Sequence, residues 1–320
     1  SDLGGDGVHP HDLQNFSEAQ YRGRETSPAR ERDARRAIPR PFDERAAIDW
    51  IPAWSLTHAR RRYLPAAYCY LHVPTPPSEQ FCAFNPSGHA AGNCLEEAIL
   101  QGFLELVERN AVALWWYNRA RRPGVDLASF GEPYFQALED HYRGLGRRLW
   151  ALDVTTDLGI PAFVALARAD SGRFVVGFGC HLEARLGVQR ALTELNQLFD
   201  PSERTPPPWD PAALGDARHL FPDDAALWRT RDDYPGPTHD DLRDDVLACV
   251  ERAARLGLET LVLDQTRPDT GLAVAAVIVP GLRHFWPRFG PGRLYDAPVR
   301  LGWLARPNRE EDLNPLPLFV

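Results

Sequence analysis

The stretch NCLEEAILQGFLELVERNAVALWW, residues 93–116, decides the fold of this chain of 320 residues. As a helix it would be apolar over most of its surface, so we expect several of its sides to be buried. Four polar side chains would share one stripe within roughly 80°: Glu97, Gln101, Glu105 and Glu108. A polar stripe on a buried helix should face a sheltered cleft rather than open water.

The acids of this stripe indicate a metal site. Three carboxylates on one stripe repel one another unless cations neutralise them. Arg109, four residues after Glu105, can neutralise only one of them. Sites with several carboxylates suit Mg²⁺, which commonly binds together with substrate phosphates. The spacing therefore favours a Mg²⁺–phosphate site. A helix whose acids are merely solvated is the alternative.

The segment before this helix has the composition of an anion-binding loop. Residues 87–92 read Ser-Gly-His-Ala-Ala-Gly, and small residues let backbone N–H groups at a helix start approach an anion closely. Asn93 is the predicted N-cap.

A second predicted helix, Glu183–Phe199, repeats the polar spacing of the first. Four of its side chains share a stripe within about 60°: Glu183, Arg190, Glu194 and Gln197. Any surface helix shows such a pattern, so this one by itself favours a solvated face. Two helices with the same theme could, however, line opposite walls of one cleft.

Composition excludes several classes of function. The formal charge of −8 argues against a general nucleic-acid binder. No apolar run reaches membrane-spanning length, and the N-terminus lacks the pattern of a signal peptide. Because the chain contains no Lys, a Lys nucleophile, a Schiff base and a Walker-type phosphate loop are excluded.

The five cysteines are scattered along the chain and contain no Cys-x-x-Cys pair. A disulfide framework or a zinc site is therefore not expected, and a reducing cytoplasm fits this pattern.

Apolar runs and turn residues place the remaining elements. Pro123 should end the long helix. The predicted helices are Pro133–Arg148 and Leu242–Leu256. The predicted strands are Trp54–Leu56, Tyr63–Leu71, Phe81–Phe84, Leu149–Val154, Ala162–Ala167, Phe174–Phe178, Thr260–Asp264 and Ala273–Val279. Without strict βαβ alternation, this order predicts an α+β fold, a layered sandwich of mixed sheets with helices packed on them.

Two segments stand apart from this pattern. Residues 200–241 are rich in Pro and Asp and predict a surface excursion. Residues 305–320 form a tail in which Pro315 and Pro317 alternate with apolar residues, which favours an extended chain. Because its last side chains are apolar, the tail should dock rather than remain in water.

The stretch Asn85–Arg122, with Ala-Ala-Gly-Asn-x-x-Glu-Glu-Ala at 90–98 and Glu-Leu-Val-Glu-Arg at 105–109, resembles the YcaO family. The resemblance is closest to the azoline-forming cyclodehydratases of thiazole/oxazole-modified peptide pathways. Further segments extend it over nearly the whole chain: His11–Ser17, Asp157–Pro161, Arg190–Glu194, Leu263–Asp269 and Arg293–Asp296.

The resemblance implies one YcaO-type domain over residues 1–320 that binds ATP and Mg²⁺ in an internal cleft. The positions that would hold Mg²⁺ or contact the nucleotide are Glu97, Glu105 and Glu108. Nucleotide or phosphate contacts would come from Asn93 and Arg109, and a second polar helix of the site would supply Arg190, Glu194 and Gln197.

The implied reaction adds a Cys, Ser or Thr side chain of a ribosomal precursor peptide to the preceding backbone carbonyl. ATP phosphorylates the resulting oxyanion, and loss of phosphate gives a thiazoline or oxazoline. The implied partners are the precursor peptide and a leader-peptide-binding protein or upstream domain, and a homodimer is a further expectation.

The chain departs from the family pattern at both ends. The family has an earlier Ser-x-x-x-Glu-x-x-Glu-Arg helix, which does not precede Asn93, and Met is absent, so we expect the N-terminal portion of the domain to be missing. The family tail is often Pro-x-Pro-x-Pro with a carboxylate implicated in proton transfer. This resemblance implies catalytic roles for Pro315, Pro317 and the carboxylate of Val320.

Two other functions stay open at this point. A catalytically silent YcaO-like scaffold could bind a peptide or a partner subunit. A YcaO enzyme using another nucleophile would form a thioamide or an amidine instead of an azoline.

Overall fold

The computed structural model describes residues 3, 5–24, 38–76, 79–169, 171–200, 202, 209, 213–236 and 239–318. The chain divides into two compact units. The first consists of Ser1–Leu106 with His239–Gly292, and the second of Val107–Thr238 with Arg293–Val320. One domain over residues 1–320, without its N-terminal portion, stays a prediction.

The first unit is built on a five-stranded antiparallel sheet in the order β2-β1-β8-β9-β3. Its strands are β1 Trp50–Ser55, β2 Arg60–Pro65, β3 His89–Gly92, β8 Leu261–Asp264 and β9 Ala273–Ile278. Its helices include α1 Pro10–Gln14, α2 Glu18–Arg22, α3 Ala66–Cys69 and α7 Leu242–Arg255. Apolar side chains of the strands and of α1 and α3 form one core around Leu64, Leu261 and Ala276.

Three strand predictions in the first unit are wrong in detail. The strand predicted over Trp54–Leu56 begins earlier, at Trp50, and ends at Ser55. The strand predicted over Tyr63–Leu71 ends at Pro65 and gives way to α3. Phe81–Phe84 forms no strand, because the Gln14 side chain takes the backbone bonds there: its Nε2 donates to the Phe81 carbonyl at 2.6 Å, and its Oε1 accepts from the Ala83 N–H at 3.0 Å.

The predicted small-residue loop is also more regular than expected. Residues 89–92 form β3, which pairs with β9 in antiparallel register. Small side chains had indicated a loop, but here they allow close packing. A Cβ added at Gly92 would lie 2.7 Å from the Ala98 nitrogen.

The second unit contains a four-stranded antiparallel sheet in the order β4-β5-β6-β7. The strands are β4 Gly124–Val125, β5 Arg148–Asp153, β6 Ala162–Arg168 and β7 Phe174–Cys180. Its helices include α5 Pro133–Gly144, α6 Ala184–Leu198 and α8 Arg293–Arg300. The predicted helix Pro133–Arg148 is therefore too long, since Arg148 already begins β5. Side chains from the sheet, α5 and α6 share one core.

The long predicted helix is α4, Leu95–Asn118. It begins with the Ala98 N–H donating to the Cys94 carbonyl at 3.2 Å, so Cys94, and not Asn93, occupies the N-cap position. It ends before Pro123, because Arg119 takes a positive φ of 46° and leaves the helical conformation. Its last turns are buried as the sequence predicted: residues 111–116 have no exposed side chain.

Residues 200–241 are a surface excursion only in part. Several of the described side chains in this segment are buried: Trp209, Leu214, His219 and Leu220. Short 3₁₀ turns at Arg218–Leu220 and Arg231–Asp233 organise it. Its many Asp residues had suggested solvent exposure, but the apolar and aromatic residues between them pack inward.

The predicted α+β class is confirmed. Both sheets are antiparallel, and parallel pairing occurs in three isolated bridges, Gly7–Tyr63, Arg122–Pro222 and Val125–Arg229. All five cysteines are free. Within the described ranges, no helix has both the length and the apolar character needed to span a bilayer.

Helix α6 lies against β7 at two glycines, Gly177 and Gly179. A Cβ at Gly179 would collide with the Gly187 carbonyl and the Ala191 nitrogen, and one at Gly177 with backbone atoms of Ala191 and Leu195. The absence of side chains at these two positions allows the helix backbone to reach the strand.

We predict that Gly179→Ala destabilises the second unit by about 1–3 kcal/mol, because the methyl group overpacks the contact between α6 and β7. The urea midpoint measures this effect. The matched control is Gly144→Ala on α5, where a Cβ meets no atom within 4 Å; it should be neutral or slightly stabilising. Equal midpoints for the two variants would contradict the packing argument.

A second prediction concerns His219, which is buried against the rings of Trp115 and Trp116 at 5.7 and 5.5 Å. Burial lowers the pKa of His219 from 6.5 to about 4. Between these values the unfolded chain binds more protons than the folded one, so stability should fall as the pH drops from 6.5 towards 4, by up to about 3 kcal/mol.

His219→Phe should flatten this pH dependence, measured as the urea midpoint between pH 7 and pH 5. His141→Phe, on the exposed side of α5, is the control and should keep it. The prediction fails if the His219 variant loses stability with acid as steeply as the parent chain does.

Candidate functional site

The second unit contains a cavity of about 620 Å³ whose walls carry several of the predicted site residues. Glu108 and Arg109 come from α4, and Phe178 comes from β7. The remaining lining residues belong to α6: Leu186, Gln189, Arg190, Thr193, Glu194, Gln197 and Leu198. Three residues of the stripe predicted on the second polar helix, Arg190, Glu194 and Gln197, therefore face a cavity and not only solvent. The fourth, Glu183, does not line it and pairs with Arg185.

Glu108 and Arg109 form an ion pair in the wall of this cavity. Arg109 Nη1 lies 2.9 Å from Glu108 Oε1, and both side chains are mostly buried. The sequence spacing had instead predicted an ion pair between Arg109 and Glu105. A guanidinium carries five N–H donors, so pairing with Glu108 leaves Arg109 able to contact a bound anion as well.

Arg190 and Glu194 are held by the edge of β7. The Phe178 N–H donates to Glu194 Oε2 at 3.3 Å, and Arg190 Nη1 donates to the Cys180 carbonyl at 3.4 Å. The two residues lie four apart on α6, so their side chains stand one turn apart on the same face. The close approach of α6 to β7 brings both within reach of the strand.

The chemistry of this cavity suits a phosphate group with its metal ion. Two guanidiniums, Arg109 and Arg190, can bind phosphate oxygens with fork geometry. Two carboxylates, Glu108 and Glu194, can serve Mg²⁺, which typically uses one or two carboxylates and completes its shell with waters and phosphates. The donor set thus fits Mg²⁺ bound together with a polyphosphate.

The remaining predicted metal and nucleotide residues, Asn93, Glu97 and Glu105, lie in the first unit. Glu97 Oε2 accepts from the backbone N–H of Asn93 at 2.7 Å and from its side-chain Nδ2 at 2.9 Å. This carboxylate lies in the N-terminal turn of α4, where it accepts one backbone and one side-chain N–H of Asn93, the residue before the N-cap.

Glu105 is held by the turn before β3. Its Oε2 accepts from the Gly88 N–H at 3.1 Å. Gly88 has a φ of +87°, and an added Cβ would collide with the Val277 carbonyl, so only glycine fits without strain. The small-residue segment therefore supplies a backbone N–H to the Glu105 carboxylate of the helix, whereas the sequence had suggested a bound phosphate as the acceptor. This contact was not foreseen from the sequence.

The predicted trio Glu97, Glu105 and Glu108 is not a preformed metal chelate. Within the part of the chain that the structure describes, no three His, Cys, Asp or Glu side chains form a group that could hold a metal ion. A role for these three acids in binding Mg²⁺ stays a prediction.

The C-terminal tail docks in the second unit, as its apolar composition predicted. Trp116 Nε1 donates to the Leu316 carbonyl at 2.7 Å, and Trp209 Nε1 donates to the Pro317 carbonyl at 2.9 Å. Leu318 is fully buried. Pro315 and Pro317 belong to this docked segment, whereas Val320 lies outside the described residues.

Sequence reasoning missed the two indole contacts and several lining residues of the cavity. Gln189 and Thr193 are one helical turn apart and next to Arg190 and Glu194, so the periodicity of α6 could have identified them. Trp209 gave no such signal, because it lies in a Pro-rich stretch without regular spacing.

A sequence model described as YcaO cyclodehydratase, ATP- and Mg²⁺-binding, matches residues 1–283. The chain belongs to the YcaO family. An uncharacterized protein of Methanothermobacter thermautotrophicus is 28% identical over 267 residues, which are 78% of this chain and 69% of that protein. The resemblance predicted from the motifs is confirmed.

Solved structures of YcaO-type proteins share the fold. A heterocyclase in complex with substrate and cofactor matches with a TM-score of 0.93 and 49% identity, over 99% of this chain and 44% of that one. The heterocyclase TruD matches with a TM-score of 0.90 and 48% identity, over 100% of this chain and 46% of that one. This YcaO chain therefore spans less than half the length of either heterocyclase.

A more distant relative is YcaO from Methanopyrus kandleri bound with AMPPCP and Mg²⁺. It matches with a TM-score of 0.61 and 26% identity, over 76% of this chain and 66% of that one.

We predict that Trp116→Phe and Trp209→Phe each lower the free energy of unfolding by about 1 kcal/mol or more, because each leaves a tail carbonyl without its indole donor. The urea midpoint measures stability, and the rate of carboxypeptidase digestion measures release of the tail. Trp54→Phe, at an exposed side chain of the first unit, is the control. Unchanged digestion in both tail variants would show that the indoles do not hold the tail.

Proposed function

We propose that this YcaO protein catalyses ATP- and Mg²⁺-dependent cyclodehydration of Cys, Ser or Thr residues in a ribosomally made precursor peptide. The thiol or hydroxyl adds to the preceding amide carbonyl, and its proton leaves to solvent. The oxyanion takes the γ-phosphoryl group of ATP, and phosphate then departs as the amide nitrogen loses its proton. The products are a thiazoline or oxazoline, ADP and phosphate, and the oxygen lost from the peptide leaves in the phosphate.

The observation that carries this proposal is the shared cavity of the second unit. Glu108, Arg109, Arg190, Glu194 and Gln197 line it together, and both the spacing of the polar helices and the family resemblance had singled them out. The match of 99% of this chain to 44% of a heterocyclase in complex with substrate and cofactor supports the same function.

The arginines and the glutamates of the cavity would have different roles in this reaction. Arg109 and Arg190 would bind phosphate oxygens and stabilise the charge that develops during phosphoryl transfer. Glu108 and Glu194 would hold Mg²⁺, which neutralises that charge when bound. Gln197 would add a neutral hydrogen-bonding group. Glu97, Glu105 and Asn93 remain proposed contacts to metal or nucleotide.

The docked tail extends the proposal to the peptide. Pro315 and Pro317 would keep the chain extended, and the Val320 carboxylate would accept a proton during ring formation. The tail is anchored at Leu316 and Pro317 by indole N–H groups, which supports a role for this part of the tail in the second unit.

The resemblance to the YcaO family also suggests partners, a cellular location and an oligomeric state. A leader-peptide-binding protein or an upstream domain would present the precursor peptide. The protein would act in the cytoplasm, which five free cysteines suit, and a homodimer is part of the proposal.

We predict that Glu108→Gln and Glu194→Gln each reduce peptide-stimulated ATP hydrolysis on the order of 100-fold or more, since each removes a charge placed at the phosphates. Gln keeps the shape and an acceptor oxygen, so the fold should persist. Mass spectrometry of the precursor peptide should show the loss of one water per ring with the parent chain only.

Glu251→Gln, at an exposed position of α7, is the matched control and should retain full activity. Full activity of the Glu108 and Glu194 variants would remove them from the mechanism. No heat on mixing the chain with Mg²⁺–ATP would favour a silent scaffold, and exchange of a peptide oxygen for sulfur would favour a thioamide-forming enzyme.

A further inference from the structure

Two arginines of the second sheet oppose each other without an acid between them. Arg148 on β5 and Arg168 on β6 are directly paired in the register of the sheet, and both are exposed. Like charges directly opposite on neighbouring strands destabilise a sheet. Among the described residues, neither arginine has a carboxylate within ion-pair distance.

Aromatic rings take the place of acids around these two guanidiniums. The Arg148 guanidinium lies 5.4 Å from the centre of the Trp150 ring, and that of Arg168 lies 5.7 Å from the Phe221 ring. The Trp150 and Phe221 rings stack on each other at 5.3 Å. Cation–π contacts keep the guanidiniums in place but do not neutralise their charge.

A cavity of about 540 Å³ opens beside this pair, and we call it the basic cavity. Its lining residues are Arg121, Arg148, Arg218, Phe221, Pro222, Asp224 and Trp228, none of which lines the candidate functional site. Among these lining residues, three guanidiniums stand beside one carboxylate, that of Asp224, which is 99% exposed and lies 3.4 Å from Arg121.

Arg121 and Arg218 already have acidic partners on the neighbouring loop. Arg121 pairs with Asp223 at 3.0 Å, and Arg218 pairs with Asp216 at 2.5 Å. Both pairs are at the surface, and each guanidinium has five N–H donors, so a ligand carboxylate can bind beside the acid already present. Arg148 is the lining guanidinium that forms no ion pair with a described acid.

Trp228 lines the basic cavity, and Leu227 precedes it in the chain without lining the cavity. Leu227 is 90% exposed, and its neighbour Trp228 is 48% exposed. The segment is fixed next to β4, because the Arg229 N–H donates to the Gly124 carbonyl and the Asp126 N–H to the Arg229 carbonyl, each at 2.8 Å. An exposed Leu and Trp on a fixed segment can contact an apolar side chain of a ligand without an ordering cost.

We propose that the basic cavity binds an acidic peptide segment, with Asp or Glu carboxylates on Arg148 and Arg218 and an aliphatic side chain against Leu227 and Trp228. Carboxylates match the fork of a guanidinium and would relieve the repulsion between Arg148 and Arg168. Repulsion from the formal charge of −8 grows with the number of negative charges on the ligand, so it disfavours a long polyanion such as a nucleic acid more than a short peptide. This binding site is independent of the proposed cyclodehydration.

The test uses calorimetry with the full chain and a short synthetic peptide of alternating Glu and Leu. The same peptide with Gln in place of Glu is the matched ligand control, and inorganic phosphate tests for a simple anion site. We expect the Glu peptide to bind at least about tenfold more tightly than the Gln peptide, a difference of about 1.4 kcal/mol, and less tightly as salt is raised.

Variants locate the binding on the chain. Arg148→Gln combined with Arg218→Gln should weaken the Glu peptide at least tenfold. Arg143→Gln, an exposed arginine of α5 paired with Asp140, should not change it. Arg148→Gln alone should also raise the urea midpoint of the free chain, because it removes the repulsion with Arg168.

The proposal is overturned if the chain does not bind the Glu peptide or binds the Gln peptide equally well. It is also overturned if the double variant binds like the parent. Phosphate binding without binding of the Glu peptide would show an anion site only, which contradicts a peptide-binding surface. A nucleotide-free chain suffices for every arm, so loss of cyclodehydration would not affect the outcome.

Discussion

The contact between α6 and β7 is the constraint on which the candidate site of this YcaO protein depends. Two glycines of the strand, Gly177 and Gly179, leave no room for side chains and let the helix backbone lie directly on it. Only at this separation can Arg190 and Glu194 reach backbone groups at the edge of β7. Packing thus fixes the two side chains before any ligand binds, which lowers the cost of binding one.

The charged side chains of the site are acceptable because each has a partner within the protein. Glu108 has Arg109, and Glu194 has a backbone N–H. Unpaired charges in partly buried positions would cost far more than these contacts return. A phosphate group with Mg²⁺ can replace or share these partners, since it supplies both negative and positive charge to the same cavity.

Regular spacing made much of this structure predictable from the sequence. The apolar surface of α4 and the strands β5, β6 and β7 followed from hydrophobic periodicity, and the stripe of α6 identified three residues of the cavity. Contacts that depend on tertiary packing were not predictable. The Gln14 side chain replaces a strand ladder at Phe81, and Gly88 offers its N–H to Glu105, because distant parts of the chain meet there. Indole donors for the tail were missed for the same reason.

A structure of the chain with Mg²⁺ and a non-hydrolysable ATP analogue is the most direct measurement. The triphosphate should lie in the cavity of the second unit, with Arg109 and Arg190 on its oxygens and at least one of Glu108 and Glu194 on the metal. A nucleotide bound elsewhere, or a cavity that stays empty at saturating nucleotide, would contradict the account.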